Sequence, residues 1–379
     1  MKFAAMSWSR WMGIITKEFI QLRRDRLTFG MVVGIPILQL ILFGFAINAD
    51  PKELPTAVLD ADHSAYARSV VQGLRNSGYF RVDHEVATEA QADALIAQGA
   101  VQFVVTVPAQ FGRALVRGEK PVLLIEADAT DPSATGNAIA ALQGAVRTSL
   151  SHDLVGPLAR LYPDADPVDV RVHRRYNPEG VTAYNIVPGL LGTILTMTMI
   201  LMTGLAMTRE RERGTFENLL ATPALPIEVM TGKIVPYILI GLIQVTLLLL
   251  AALLLFDVPL VGSVALLYLA VLVFIAANLA LGITFSSMAR NQLQAMQMTF
   301  FFFLPSILLS GFMFPFRGMP VWAQWVGNVL PLTHFLRLVR GIMLKGSGVA
   351  DLWPDVWPIL AFLAAAIALG LAVYRKTLD

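Results

Sequence analysis

The sequence predicts an α-helical polytopic membrane protein with six transmembrane helices, an extracytoplasmic α/β domain inserted after the first span, and an N-terminal interfacial helix. Three observations carry this. Hydrophobic residues make up 56% of the chain and charged ones 15%, against about 25% charged in a soluble domain. The apolar residues gather in charge-free runs of about 18 or more, enough to cross roughly 30 Å of hydrocarbon. One long polar stretch, 50–180, interrupts them with charges of both signs and alternating strand-like and helix-like patterns.

Composition also excludes. The net charge of +2 gives no electrostatic footprint for nucleic acid. The absence of cysteine removes disulfide frameworks, zinc–thiolate sites and thiol nucleophiles.

Residues 1–29 are basic, and Trp8, Trp11, Met12, Ile15, Phe19 and Leu22 repeat at the spacing of one helix face. This reads as a cytoplasmic amphipathic helix in the membrane interface, aromatic rings at headgroup depth. The first span is 30–47. The basic residues before it put the N-terminus in the cytoplasm by the positive-inside rule.

Within 50–180, period-two apolar runs predict strands over 56–60, 80–86, 101–107 and 122–126. Helical runs predict helices over 64–76, 89–98, 110–117 and 133–158. Strands alternating with helices make a small α/β domain, periplasmic because one span precedes it.

The transmembrane domain is 182–379, with spans expected at 182–207, 234–256, 263–288, 293–314 and 357–374. Arg209, Arg211 and Arg213 anchor a cytoplasmic loop over 209–233. Residues 315–352 form neither a span nor a polar loop, and their amphipathic pieces, broken at Pro331, suit re-entrant helices at the outer interface. Arg317, Arg337, Arg340 and Lys345 then lie outside, against the positive-inside rule; span parity and the basic C-terminus at Arg375 and Lys376 require it.

No G-x-x-x-x-G-K-[ST] phosphate loop occurs. The chain is expected to bind no nucleotide and to be no enzyme itself, so any ATP would be hydrolysed on a partner. No metal site or nucleophile–base pair stands out. Asp60, Asp62 and His63 sit where a strand ends and a capped helix begins, and read as turn residues, as do Asp128 and Asp131.

The second to fifth spans carry no ionisable residue in their interiors, where an ion-coupled carrier generally places one. Their neutral polar groups serve either as helix–helix contacts or as a weakly polar translocation path; Asn185, Thr196, Gln244, Asn278 and Gln297 are the path candidates. In the cytoplasmic loop, Thr215 is an N-cap candidate after Gly214, Glu217 lies near the positive helix end, and Phe216, Leu219 and Leu220 give an apolar face. Asn218 stands where a full capping box would carry Glu or Gln. A short rigid element fused to a span end can transmit displacement.

Over its whole length the chain resembles the permease subunit of a bacterial ABC type-2 exporter, of the drug-export-like subgroup with a large periplasmic domain. The resemblance rests on Lys17-Glu18-Phe19 with Leu22-Arg23-Arg24-Asp25-Arg26, on 209–223 followed by Val229 and Gly232-Lys233, and on a C-terminal block. That block contains Ser310-Gly311-Phe312-Met313-Phe314-Pro315, Met319-Pro320, Trp322, Pro331-Leu332-Thr333-His334 and Leu344-Lys345-Gly346.

The resemblance implies a multi-pass inner-membrane protein with both termini cytoplasmic, pairing with a second copy or a sister permease. A separate ABC ATPase subunit would carry ATP and Mg. Arg213, Gly214, Thr215, Phe216, Glu217, Asn218, Leu219 and Leu220, with Lys17 and Glu18, would couple to that ATPase. Phe314, Pro315, Pro331 and His334 would belong to an outer gate. A periplasmic adaptor protein and an outer-membrane channel are further expected partners, and the cargo would be a small amphipathic or hydrophobic compound. A gradient-driven secondary exporter and a membrane-anchored sensor or assembly subunit are the alternatives the residues leave open.

Overall fold

The structure, a computed structural model, describes residues 51–161, 166–212 and 226–376. The leader, the expected first span at 30–47 and residues 213–225 lie outside the described residues.

The α/β region runs β1 (Leu54–Asp60), α1 (Ala65–Asn76), β2 (Phe80–Glu85), α2 (Glu89–Ala97), β3 (Phe103–Val107), α3 (Phe111–Val116), β4 (Val122–Asp128), α4 (Pro132–Ser151), a short 3-10 turn (Gly156–Leu161) and β5 (Asp169–Arg175). Its five strands lie in the order β2-β1-β3-β4-β5, parallel except for the β3–β4 pair. Strand periodicity sorts the apolar residues between two faces. Leu54, Val58, Phe103, Val105 and Val107 join the buried cluster under α1, α3 and α4. Ala57 and Val104 join Ala92 and Ile96 of α2 on the opposite face.

Helix starts follow capping chemistry. Ser64 Oγ accepts from the Ala67 N–H, Thr88 Oγ1 from the Gln91 N–H and Asp131 Oδ1 from the Ser133 N–H. Asp60 Oδ1 accepts from the backbone of Asp62 and His63, which makes that acidic group a turn.

Two expectations here are corrected. The helix expected over 133–158 ends at Ser151, and the chain turns at Gly156, with φ +64° and Pro157 behind it. The strand β5 was not expected. It is an edge strand whose Arg171, His173 and Arg174 outweigh its two valines.

The helical part comprises α5 (Ala183–Glu212), α6 (Pro226–Leu255), α7 (Val264–Met288), α8 (Gln292–Leu309), α9 (Val321–Val329), α10 (Pro331–Arg340) and α11 (Val349–Lys376), with a π turn at Gly341–Lys345. Five of these, over Ala183–Arg209, Pro236–Leu255, Val264–Met288, Gln292–Leu309 and Val349–Gly370, are long and apolar enough to cross a membrane. The protein is thus a helical membrane protein with a sheet-bearing α/β region N-terminal to these helices.

Boundaries shift in three places. The charged stretch from Arg209 to Glu212 continues α5, and α6 already starts at Pro226, a residue suited to the first helical turn, so both ends of the loop expected over 209–233 are helical. Helix α8 stops at Leu309, before Gly311 with its φ of +84°, rather than at Phe314. Helix α11 begins at Val349, not at Trp357.

Between membrane helices, close packing rather than water exclusion supplies the attraction. Phe274 of α7 stacks on Phe335 of α10, ring centroids 3.9 Å apart, and both are fully buried. Around them Leu195, Met199, Ile275, Leu332 and Leu336 complete the core.

Candidate functional site

The α/β region meets the bundle where α5 begins and α10 ends. Lys345, closing the π turn, donates from Nζ to Asp128 Oδ2 at 2.6 Å and to the Ile96 carbonyl at 3.2 Å. Asp128 Oδ1 meanwhile accepts from the Thr130 N–H and Oγ1–H. The pair is buried, with side-chain exposures of 10% and 9%. Asp128 is therefore more than the turn residue its position in the sequence indicates.

Beside this pair, Asn185 Nδ2 donates to the Thr130 carbonyl at 3.1 Å, and Arg340 Nη2 donates to Asn185 Oδ1 at 3.1 Å. Arg340 also donates to the Gly311 carbonyl at 3.3 and 3.4 Å. Burial lowers the Arg340 pKa from its ordinary value, opposed by the nearby charges of Asp131 and Asp128. Asn185, a path candidate, is thus engaged in joining α5 to β4 and α10.

The four outer-gate candidates lie near one another in the chain fold without forming one bonded cluster. Pro331 opens α10 and is buried; Pro315 is buried, and Phe314 is half-buried against the cluster of Leu308, Leu309 and Met319. His334 is held on both ring nitrogens, Nδ1 at 2.7 Å from Asp355 Oδ1 and Nε2 at 2.8 Å from the Asn328 carbonyl oxygen. Arg337 reaches the same Asp355 oxygen at 3.4 Å and covers the Phe316 ring at 4.7 Å.

The remaining path candidates are distributed through the bundle. Thr196 Oγ1 donates back to the Gly192 carbonyl at 2.8 Å, and Gln244 Oε1 accepts from Thr198 Oγ1 at 3.0 Å. Asn278 donates to the Phe274 carbonyl at 2.9 Å, leaving its buried Oδ1 without a partner among the described residues. Gln297 Oε1 is likewise buried and unmatched there. No bond joins these four to one another among the described residues.

At the opposite end of the bundle, Glu212 of α5 accepts from the backbone and side-chain N–H of Gln292 at the start of α8. These bonds hold its carboxyl below the usual range. The coupling candidates Arg213 to Leu220, and Lys17 and Glu18, lie outside the described residues. Sequence reading missed Asp128, Arg340, Lys345 and Asp355 as working residues; the available signal was the cluster of basic residues in an otherwise apolar stretch, Arg337, Arg340 and Lys345.

Long apolar helices with neutral polar interiors, and charged groups kept to their two ends, define a multi-pass membrane protein. The chain belongs to the ABC-2 family of transporter proteins, whose family model matches residues 26–374. Among curated proteins it is similar to the probable multidrug ABC transporter permease YbhR of Escherichia coli K12, 27% identical over 96% of this chain and 97% of that one. It is also similar to the permease YbhS of the same strain, 29% identical over 99% of both chains. The inner membrane transport permease YhhJ of that strain is 29% identical over 90% of this chain and 93% of its own.

Proposed function

We propose that this chain is the membrane-spanning permease subunit of an ATP-driven exporter of small amphipathic or hydrophobic compounds, paired with a second permease and served by a separate ATPase subunit. The observation that carries the reading is the family match over 26–374 in a chain without a phosphate-loop motif. The relatives' names, multidrug permease and transport permease, point the same way. The neutral interiors of the spans favour an external motor over proton or sodium coupling.

In this reading the α/β region is periplasmic, both termini are cytoplasmic, and the host bilayer is the bacterial inner membrane. Residues 213–220, flanked by the long helices α5 and α6, dock into the ATPase with Lys17 and Glu18 alongside. Asn278, Gln297, Gln244 and Thr196 offer weakly polar groups along the path, and Asn185, Phe314, Pro315, Pro331 and His334 belong to its outer end. An adaptor protein and an outer-membrane channel would extend the route beyond the α/β region.

The test is gentle extraction of the tagged chain from its native membrane, in parallel with a variant lacking 214–223. An ATP-hydrolysing subunit that co-purifies with the full chain and is lost with the deletion is the expected result. Export that continues on a proton or sodium gradient, with no ATPase attached under several mild detergents, overturns the reading.

A further inference from the structure

The π turn that follows α10 is where three parts of the chain meet. A helix leaves its last four carbonyls without partners of its own. Here two of them are taken by another connection. The Val261 N–H donates to the Met343 carbonyl at 2.9 Å, and the Gly262 N–H donates to the Ile342 carbonyl at 3.0 Å. Both donors lie between α6 and α7, and the Val261 side chain is exposed. Position 262 has to be glycine for this approach, because a Cβ would collide with the Ile342 carbonyl oxygen. Ile342 and Met343 are fully buried. Two residues on, Lys345 reaches the other way, to Asp128 and to the Ile96 carbonyl of the α/β region.

The α/β region is firmly held at this end. The chain leaving β5 for α5 is closed on itself by the buried Asn177, whose Oδ1 accepts from the Val181 N–H at 2.8 Å and whose Nδ2 donates to the Val181 carbonyl at 3.0 Å. Tyr176 beside it takes a φ of +68°, a strained value for a residue with a side chain, which persists where surrounding contacts over-determine it. Its ring packs against the bundle core, with the centroid 5.1 Å from Lys345 Nζ. Asn185 adds a tie to the Thr130 carbonyl. A buried turn gripped from both sides passes a displacement on, because a close-packed interior has little room to absorb it.

We propose that the π turn joins the α/β region and the α6–α7 connection into one mechanical unit, so that whatever shifts or loosens the end of β4 shifts or loosens the adjoining ends of α6 and α7. An occupant of the α/β region would be sensed in the bundle through Lys345. The inference stands on contacts within this chain and does not depend on the export reading.

The test is amide hydrogen exchange of the full chain in nanodiscs, measured at Val261 and Gly262. These amides sit in an exposed connection and bond to the π-turn carbonyls, so their exchange reports opening of that contact. Asp128→Asn removes the charge that holds Lys345 and keeps the side-chain shape. It is expected to speed exchange at both amides about tenfold, as is Lys345→Met. Gly73→Ala is the control. Its added methyl group would collide with Ser149 and loosen the packing of α1 on α4, without touching a residue of the joint. It should speed exchange within the α/β region and leave Val261 and Gly262 within about twofold of the wild type.

Unchanged exchange at Val261 and Gly262 in Asp128→Asn overturns the proposal, even where Lys345→Met speeds it, because the effect is then local to the turn. Equal acceleration by Gly73→Ala also overturns it, since the connection would then sense the general stability of the α/β region and not this joint. So does a wild type in which both amides exchange at the rate of an unprotected chain.

Discussion

Lys345 and Asp128 form a buried ion pair at 2.6 Å across a separation of 217 positions, joining the last turn after α10 to the end of β4. The pair shows what holds this lysine: its charge is neutralised by the α/β region at that end of the bundle. Removing one partner strands the other. Lys345→Met is expected to cost about 3 kcal/mol of stability, read as an earlier loss of tryptophan fluorescence on heating in detergent. The double variant with Asp128→Asn should recover part of this, with a coupling of about 1–3 kcal/mol. Additive losses would show that the two residues act independently.

Gly282 lies where α7 packs tightly against α5. A Cβ there would collide with the Thr203 hydroxyl and stand 2.8 Å from the Ile200 carbonyl oxygen, which is backbone and cannot swing aside. Gly282→Ala should therefore push the helices apart and cost about 1–3 kcal/mol. Gly136→Ala, where nothing lies within 4 Å of the added methyl group, should be harmless or mildly stabilising. Similar melting shifts for both would mean that the α5–α7 contact is not tight.

These two contacts mark what the sequence could and could not disclose. Strands β1 to β4 and the apolar helices are legible because period two and long charge-free runs are local patterns. The end of α5 is not, since a run of Arg and Glu is as good a helix as it is a loop. Strand β5 hides because its register is set by pairing with β4 while its own side chains are mostly charged. Asp128 was legible only as a turn former, because its oxygens share the work: one side is local, to Thr130, and the other reaches Lys345. Spacing discloses the first kind of contact and never the second. Asn185 reads as a span polar group, and only the fold reveals that both ends of its amide are taken.

His334 is 6% exposed and bridges α10, the end of α9 and α11 through Asn328 and Asp355. His334→Phe fills the space but leaves the Asp355 oxygen to Arg337 alone and the Asn328 carbonyl unmatched, a cost of about 1–3 kcal/mol. Asp355→Asn should weaken the same joint by a similar amount and also loosen Arg337. Limited proteolysis after Arg317 and Arg337 should then be faster in both variants than in the wild type. Unchanged cleavage and melting would remove His334 from any part in holding α9, α10 and α11 together.

The chain contains no cysteine, so single introduced cysteines report sidedness without background. Glu119→Cys lies in an exposed loop of the α/β region, and Asn218→Cys lies between α5 and α6. In intact spheroplasts an impermeant maleimide is expected to label the first at once and the second only after permeabilisation. Labelling of both from the same side would contradict the proposed topology.

The last prediction concerns the segment between α5 and α6. Both flanking helices are long, and Glu212, at the end of α5, is bonded to Gln292 at the start of α8. A push on the 213–225 segment would therefore reach two helices at once. Glu217→Lys inverts a charge near a proposed helix N-terminus, and Phe216→Asp puts a charge on the proposed apolar face; each should lower ATP-dependent transport about tenfold, or about 1.4 kcal/mol of coupling. Melting of the bundle should stay within about 0.5 kcal/mol of wild type, as for surface substitutions. ATP hydrolysis by the complex should persist while transport falls, because the motor would turn without its grip on the permease. Wild-type transport in both variants would move the docking element elsewhere in the chain. Loss of transport together with early melting would instead assign these residues to folding.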